Sequence, residues 1–133
     1  MVVKNVVVAG GGVLGSQIAF QTAFCGFNVT IWLRSEGSIE RAQPKIDRLK
    51  EIYLSTMEAM KTNPQAYCRG FTDKAELSDE EIDELKKQVE IAYENISMTT
   101  SYEEAAKDAD LIIEAIAEDP NQKIPFYYLE RVL

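Results

Sequence analysis

Short apolar runs alternate with longer stretches of helical periodicity along this chain. The apolar runs are predicted to be strands, and they are Val2–Ala9, Asn28–Leu33, Ile96–Thr99 and Asp110–Ile116. The first run carries apolar residues on both faces, which is typical of a strand that is covered on both sides, and the last run is predicted to be a buried strand. Strands that alternate with helices favour a parallel sheet with right-handed crossovers. The pattern therefore predicts an α/β fold.

The first helical stretch runs from Val13 to about Phe24. Small or apolar residues at helical spacing predict one stripe that lies on the sheet, formed by Gly15, Ile18, Ala19, Thr22 and Ala23. Gly26 is placed to end this helix, since glycine tolerates the left-handed conformation found there. A short helix is predicted over Tyr102–Lys107, and Asp119 is the predicted N-cap of a last helix.

The segment between the second and third predicted strands is much longer than a generic crossover helix. One amphipathic pattern in it comprises Ile39, Ala42, Ile46, Leu49, Tyr53, Met57 and Met60. Pro44 lies inside this pattern, so the helix either begins near Pro44 or bends there. Ser78 and Glu81 form a capping box that opens a second amphipathic helix. We therefore predict a long helical hairpin inserted after the second strand, with its apolar stripes in the core.

Three glycines follow the first strand in the spacing G-x-G-x-x-G. Gly10 allows a tight turn, Gly12 lets a pyrophosphate approach the backbone, and Gly15 lets the helix pack close to the strand. The N–H groups at the helix start, around Val13 and Leu14, would bind the phosphates. In this strand–turn–helix context the motif predicts a Rossmann-type doubly wound parallel sheet, with residues 1–133 forming a dinucleotide-binding domain that is incomplete at its C-terminal end. The alternative is a glycine turn without a ligand.

The end of the second strand bears on the choice of cofactor. NAD-binding domains of this type place an acidic residue there to bind the adenosine ribose, whereas this chain has Leu33, Arg34 and Ser35. An arginine beside a hydroxyl would bind a 2′-phosphate. We therefore predict that NADP(H) binds at least as well as NAD(H). Alternatively, Arg34 stacks on the adenine or is a solvated surface residue.

Composition narrows the function further. The net charge of −8 argues against a nucleic-acid partner, and no apolar run approaches the ~20 residues that span a bilayer. Cys25 and Cys68 form no disulfide framework, which fits a reducing cytoplasmic location. The chain contains no histidine, the usual base for oxidising an alcohol near neutral pH. We therefore assign no catalytic residue and no metal ligand to these residues.

The glycine motif within Val7–Ala19, the helical hairpin and the run Asp110–Glu118 together resemble the NAD-binding domain of 3-hydroxyacyl-CoA dehydrogenases. The resemblance implies reversible oxidation of a 3-hydroxyacyl-CoA to a 3-oxoacyl-CoA by hydride transfer, with an acyl-CoA as substrate and a homodimer as the parent enzyme. It also implies that Glu118 and Lys123 contact the cofactor near its nicotinamide. Alternatively, Glu118 caps the last helix and Lys123 is a surface residue. Ala115 is expected to face the cofactor because ligands bind at the carboxyl ends of the strands.

In that family the catalytic histidine lies downstream of this region, so the resemblance implies that these residues bind cofactor without turning over substrate. Two alternatives stay open. One is the cofactor domain of a related β-hydroxyacid or sugar-acid dehydrogenase, because fold alone does not determine substrate. The other is a non-catalytic module that senses NAD(P) and regulates a partner.

Overall fold

The structure is a computed structural model that describes residues 3–116. Its four strands are β1 (Asn5–Ala9), β2 (Asn28–Trp32), β3 (Ile96–Thr99) and β4 (Leu111–Glu114). Its four α-helices are α1 (Val13–Phe24), α2 (Glu36–Met60), α3 (Asp79–Glu94) and α4 (Tyr102–Ala106), and a 3-10 turn at Pro64–Ala66 precedes α3. The predicted last helix, from Asp119 onward, lies outside the described residues.

The strands form one parallel sheet in the order β3-β2-β1-β4. Strand β1 lies between β2 on one side and β4 on the other. At the carboxyl end of β1, Ala9 is in register with Trp32 of β2 and Glu114 of β4. This reversal of strand order opens a crevice beyond the strand ends, where such sheets bind ligands. The predicted Rossmann-type fold is confirmed.

The alternation of side chains along β1 divides the core between the two faces of the sheet. Val6 and Val8 belong to the larger apolar cluster, which includes residues of α1, α2 and α3. Val7 and Ala9 belong to a smaller cluster with Trp32 and Tyr102. Since burying one large apolar side chain contributes about 1.5–3 kcal/mol, both clusters stabilise β1 as the centre of the sheet. Helices therefore cover both faces, as a doubly wound sheet requires.

The burial pattern of α1 differs from the predicted stripe. The buried residues are Gly15, Ser16, Ala19, Phe20, Ala23 and Phe24, whereas Ile18 and Thr22 are only half-buried. The prediction omitted the phenylalanines because it considered contact with the sheet alone. In the structure the helical hairpin packs on α1 as well, and the Tyr53 ring of α2 lies 4.7 Å from the ring of Phe20 and 5.8 Å from that of Phe24.

The last described strand is shorter and more exposed than predicted. It spans Leu111–Glu114, Leu111 is 47% exposed, and its other residues are half-buried. The prediction of a buried strand was wrong, because β4 lies at the edge of the described sheet and has only β1 as a described neighbour. Asp110 lies just before the strand, and its carboxylate accepts hydrogen bonds from the N–H groups of Lys4 and Asn5, both at 2.9 Å.

The helical hairpin forms as predicted. Its first helix begins before Pro44 and not near it. Helix α2 begins at Glu36 and continues through Pro44 to Met60, so a start near Pro44 is excluded. The capping box at the start of α3 is confirmed: the Ser78 hydroxyl accepts from the N–H of Glu81, whose carboxylate accepts from the N–H of Ser78. Lys61, the C-cap of α2, pairs with Asp83 of α3 at 2.7 Å.

Candidate functional site

A cavity of about 610 Å³ lies at the carboxyl ends of β1, β2 and β4. Three segments line it: the glycine loop into α1, the end of β2 with the first turns of α2, and the residues after β4. The lining residues are Gly10, Gly11, Gly12, Val13, Leu14, Gly15, Trp32, Leu33, Arg34, Ser38, Arg41, Lys45, Glu114, Ala115 and Ile116. The cavity therefore lies where the reversed strand order predicts a ligand site.

Two of the motif glycines are required by close backbone packing. Gly10 has φ +119°, and a Cβ there would lie 2.6 Å from the carbonyl oxygen of Ala115. A Cβ on Gly15 would lie 2.2 Å from the carbonyl oxygen of Gly10. Any side chain at either position would therefore push α1 or β4 away from β1. These positions explain how the loop brings the start of α1 close to the strand ends.

Gly12 is different, because a Cβ there would meet no atom within 4 Å. Its backbone is extended, with φ −72° and ψ −169°, so the fold itself does not require a glycine there. The missing side chain instead leaves open space in front of the first turn of α1. This geometry fits the predicted role of Gly12, which is to let a pyrophosphate approach the backbone.

The start of α1 has the features of an anion site. Gly12 is its N-cap and provides no side-chain hydrogen bond, and the first turn contains no acidic residue. The N–H groups of the first turn thus have no side-chain acceptor among the described residues, and the positive end of the helix dipole lies at the cavity. Val13 and Leu14 line the cavity and are 67% and 63% exposed. A bound dinucleotide would cover these two apolar side chains.

Gly11, which the motif analysis did not single out, is also constrained. A Cβ at Gly11 would lie 2.4 Å from Cδ2 of Leu33 and 2.9 Å from Cβ of Ala42. Leu33 is only 4% exposed, so the residue that replaces the usual acid packs under the glycine loop. Two features of the sequence indicated this contact: the unbroken run of three glycines, and the apolar residue Leu33 at the end of the second predicted strand.

The end of β2 brings some predicted residues to the cavity and not others. Arg34 is exposed and lines the cavity. Ser35 is not among the lining residues; it is the N-cap of α2, and its hydroxyl accepts a hydrogen bond from the N–H of Ser38 at 3.2 Å. The predicted role of Ser35 as a ligand to phosphate therefore competes with a capping role.

Sequence reasoning missed three polar residues of the site, namely Ser38, Arg41 and Lys45 of α2, which all line the cavity. They recur at intervals of three and four residues, so one face of α2 carries them, and Arg34 lies just before the helix. That spacing was visible in the sequence. It was not used because the presence of Pro44 left the start of α2 uncertain.

The residues after β4 form the remaining wall. Ala115 lines the cavity as predicted, and its N–H donates to the carbonyl oxygen of Ala9 at 2.8 Å. Glu114 also lines it, and its carboxylate accepts a hydrogen bond from the N–H of Ile116 at 3.1 Å. Glu118 and Lys123, the other two predicted cofactor contacts, lie outside the described residues.

Tyr53 is a half-buried ionisable group in the hairpin, and it does not line the cavity. Burial is the main cause that raises the pKa of Tyr53 to about 12. Its hydroxyl donates to Oε1 of Gln21 at 2.7 Å. At neutral pH the phenol therefore stays protonated, and it cannot replace the histidine that the chain lacks as a base. Within residues 3–116, no cluster of three or more acidic, cysteine or histidine side chains could hold a metal ion.

Together, the parallel sheet and the open glycine loop are typical of a dinucleotide-binding α/β domain. Comparison with known proteins agrees. Residues 5–130 match the family model described as 3-hydroxyacyl-CoA dehydrogenase, NAD binding domain. The chain therefore belongs to the 3-hydroxyacyl-CoA dehydrogenase family and represents its NAD-binding domain.

Individual relatives support the same assignment. The 3-hydroxybutyryl-CoA dehydrogenase of Clostridioides difficile is 31% identical over 116 residues, covering 87% of this chain and 32% of that protein. The structure of a diketoreductase is 31% identical with a TM-score of 0.69, covering 96% of this chain and 36% of the other. The crystal structure of M. tuberculosis FadB2 has 25% sequence identity and a TM-score of 0.71, and the match covers 100% of this chain and 38% of FadB2. The chain spans about a third of the length of the curated relatives it matches.

Proposed function

We propose that this chain binds the nicotinamide cofactor for an enzyme that interconverts 3-hydroxyacyl-CoA and 3-oxoacyl-CoA by hydride transfer. The observation that carries the proposal is the start of α1, which faces the cavity with open space at Gly12 and without a side-chain cap. A diphosphate is the group that such a helix start accommodates. The family membership supports the substrate class.

The cofactor, when bound, supplies the hydride chemistry, and the residues of this chain bind and orient it. The N–H groups around Gly12, Val13 and Leu14 hold the pyrophosphate, while Gly10 and Gly15 keep that loop against the sheet. Ala115 borders the nicotinamide end. Glu118 and Lys123 contact the cofactor there in the roles that the family resemblance implies.

NADP(H) binds at least as tightly as NAD(H) in this proposal. Leu33 is buried under the glycine loop and cannot accept a hydrogen bond from the ribose. Arg34 stands next to it, exposed at the cavity, where a cation attracts a 2′-phosphate. An acidic residue at the same place would instead repel that phosphate and favour NAD(H).

Isothermal titration calorimetry with NAD⁺ and NADP⁺ at one fixed salt concentration tests the cofactor proposal. We expect heat from both titrations and a dissociation constant for NADP⁺ no larger than that for NAD⁺. Absence of heat with both cofactors on folded protein would rule out cofactor binding. A large preference for NAD⁺ would rule out the role given to Arg34.

We further propose that residues 1–133 form the cofactor-binding domain without the catalytic histidine. The chain contains no histidine, so we expect no reduction of acetoacetyl-CoA with NADPH or NADH, measured as loss of absorbance at the nicotinamide band. Turnover by this chain would contradict the proposal. Sequencing the native gene beyond the codon for Leu133 would test whether a histidine followed by a glutamate is encoded there.

For the whole enzyme we propose an acyl-CoA substrate and a homodimeric assembly. We also propose a cytoplasmic location, which the two free and exposed cysteines, Cys25 and Cys68, support. In the described part of the chain, no helix combines the length and apolar character needed to cross a membrane. Gel filtration of the full-length chain would test the dimer.

A second candidate is a substrate without CoA, because the diketoreductase that is 31% identical acts on dicarbonyl compounds. Hydrogen exchange separates the two candidates. If the substrate is a CoA thioester, adding acetoacetyl-CoA should slow amide exchange in the helical hairpin formed by α2 and α3. If only a free dicarbonyl compound slows exchange near the cavity, the second candidate is favoured.

A further inference from the structure

We infer that Arg41, with Lys45 beside it, determines cofactor specificity by binding the phosphomonoester on the adenosine ribose of NADP(H). This inference rests on the proposed cofactor function and adds to it. The proposal above depends on Arg34 alone. Arg34 and Arg41 are both exposed, but Arg41 also donates a hydrogen bond at the start of α2, which orients its guanidinium.

The guanidinium of Arg41 is fixed at the start of α2. Its Nη2 donates to the hydroxyl of Ser38 at 3.0 Å, and that hydroxyl is 3.0 Å from the hydroxyl of Ser35. A Cβ on Gly37 would lie 3.4 Å from Nη1 of Arg41, so the guanidinium lies against backbone that carries no side chain. A side chain held in this way loses less conformational entropy when it binds an anion.

The charge distribution around the cavity favours an anion at this end. The whole chain has a net charge of −8, yet Arg34, Arg41 and Lys45 line the same cavity. Among the described residues, none of these three cations forms a salt bridge with a carboxylate, unlike Lys50, which pairs with Glu90 at 3.0 Å. Their charge is therefore available to a ligand.

The position of the cluster relates it to the ribose rather than to the pyrophosphate. Arg34 directly follows Leu33 at the end of β2, where domains of this type bind the adenosine ribose, and Arg41 and Lys45 continue from there along α2. A planar guanidinium can bind a phosphomonoester through two hydrogen bonds. A phosphorylated ribose could also belong to coenzyme A, which carries its phosphate at the 3′ position. We favour the cofactor because the cluster adjoins the glycine loop.

Titration calorimetry with three nucleotide fragments tests the inference. The fragments are adenosine 2′,5′-bisphosphate, adenosine 3′,5′-bisphosphate and AMP, used with the wild-type chain and with Arg41→Ala. We expect the 2′,5′-bisphosphate to bind wild type at least about tenfold more tightly than AMP, because its added phosphate forms charge-assisted hydrogen bonds. Arg41→Ala should remove most of that advantage and lower the affinity for AMP much less, because AMP lacks the 2′-phosphate.

The matched control is Arg48→Ala, which removes an exposed arginine of the same helix that does not line the cavity. It should leave all three affinities unchanged. Arg41→Lys should restore only part of the advantage, because lysine keeps the charge but loses the paired geometry. Circular dichroism melts of all variants would verify that each one folds.

The outcomes separate this inference from the proposed function. If AMP and the 2′,5′-bisphosphate bind equally, or if Arg48→Ala acts like Arg41→Ala, the inference is overturned while nucleotide binding stands. If the 3′,5′-bisphosphate binds more tightly than the 2′,5′ isomer and depends on Arg41, the cluster serves coenzyme A and the inference is overturned. If no fragment and no intact cofactor binds, the proposed function itself fails.

Discussion

Helices α1 and α3 begin with opposite chemistry. Helix α1 starts at Gly12, without a side-chain cap and without an acidic residue in its first turn. Helix α3 starts at Ser78, whose hydroxyl and the carboxylate of Glu81 form a complete capping box, followed at once by Asp79 and Glu80. In both helices the N–H groups of the first turn have no partner within the helix, and both helices have the same positive dipole end. Only the side chains around those groups differ.

The difference is the one expected between a helix start that stabilises the fold and a helix start that we propose binds a ligand. At α3 the chain satisfies its own N–H groups with an oxygen and adds negative charge, which stabilises the helix. At α1 it leaves the groups open and places two exposed apolar residues, Val13 and Leu14, beside a cavity. A helix start without a cap gives up stability that a bound anion can restore.

The most direct way to break this comparison is to give α1 the cap that it lacks. Gly12→Asp places a carboxylate at the N-cap, where the backbone is extended and no atom obstructs the side chain. Two unit charges about 6 Å apart repel by about 3 kcal/mol at an effective dielectric constant of ~20. We therefore expect cofactor affinity to fall about a hundredfold in calorimetry, while thermal stability stays equal or rises slightly.

Gly12→Asn is the matched control, because it has the same size without the charge. It should weaken binding less than Gly12→Asp. Equal losses for both variants would mean that space rather than charge matters at Gly12. Unchanged affinity in Gly12→Asp would mean that the pyrophosphate does not lie at the start of α1.

A second prediction separates glycines required by packing from the glycine that leaves space for a ligand. Gly15→Ala puts a Cβ 2.2 Å from the carbonyl oxygen of Gly10, so α1 must move away from β1. Overpacking of this kind destabilises a protein by about 1–3 kcal/mol, and urea denaturation would measure the change. Gly12→Ala should change the free energy of unfolding much less. Equal destabilisation of the two variants would contradict the packing difference.

The third prediction concerns the capped helix. Ser78→Ala removes the acceptor for the N–H of Glu81 and should lower the free energy of unfolding by about 1 kcal/mol in urea denaturation. Cofactor affinity should not change, because Ser78 does not line the cavity. Ser55→Ala, at an exposed serine in the middle of α2, is the control and should have a smaller effect. A loss of cofactor affinity in Ser78→Ala would mean that the two helix starts are coupled.

Local signals predicted most of the fold. The glycine motif, the capping box and the apolar stripe of α2 each depend on residues that are close in sequence. The structure confirms the sheet, the hairpin and both helix starts. Ala42, Ile46, Met57 and Met60 are the buried residues of α2, and all four belong to the predicted stripe.

Features that depend on packing between distant segments could not be predicted in the same way. Phe20 and Phe24 are buried because the hairpin packs over α1. The sequence of α1 alone does not indicate that contact. The exposure of Leu111 depends on which strands flank β4. Arg41 lies on a helical face at the cavity because α2 begins at Glu36, well before Pro44. The cofactor contacts assigned to Gly12, Arg34 and their neighbours remain predictions that the titrations test.

The smallest expected effect is a pH dependence of stability that arises at the start of α3, because the first turn of α1 contains no acidic residue. The hydrogen bond from the N–H of Ser78 is the main reason that the pKa of Glu81 lies below its ordinary value of 4.5. A carboxylate with a lowered pKa stabilises the folded state above its unfolded-state pKa, and this contribution is lost as the pH falls through the folded-state pKa. Glu81→Gln keeps the shape of the side chain without the charge. We therefore expect its Tm to lie below that of wild type at pH 7, and the difference to shrink as the pH falls below 4.5 and through the folded-state pKa. A difference that does not change with pH would mean that the charge of Glu81 does not stabilise α3.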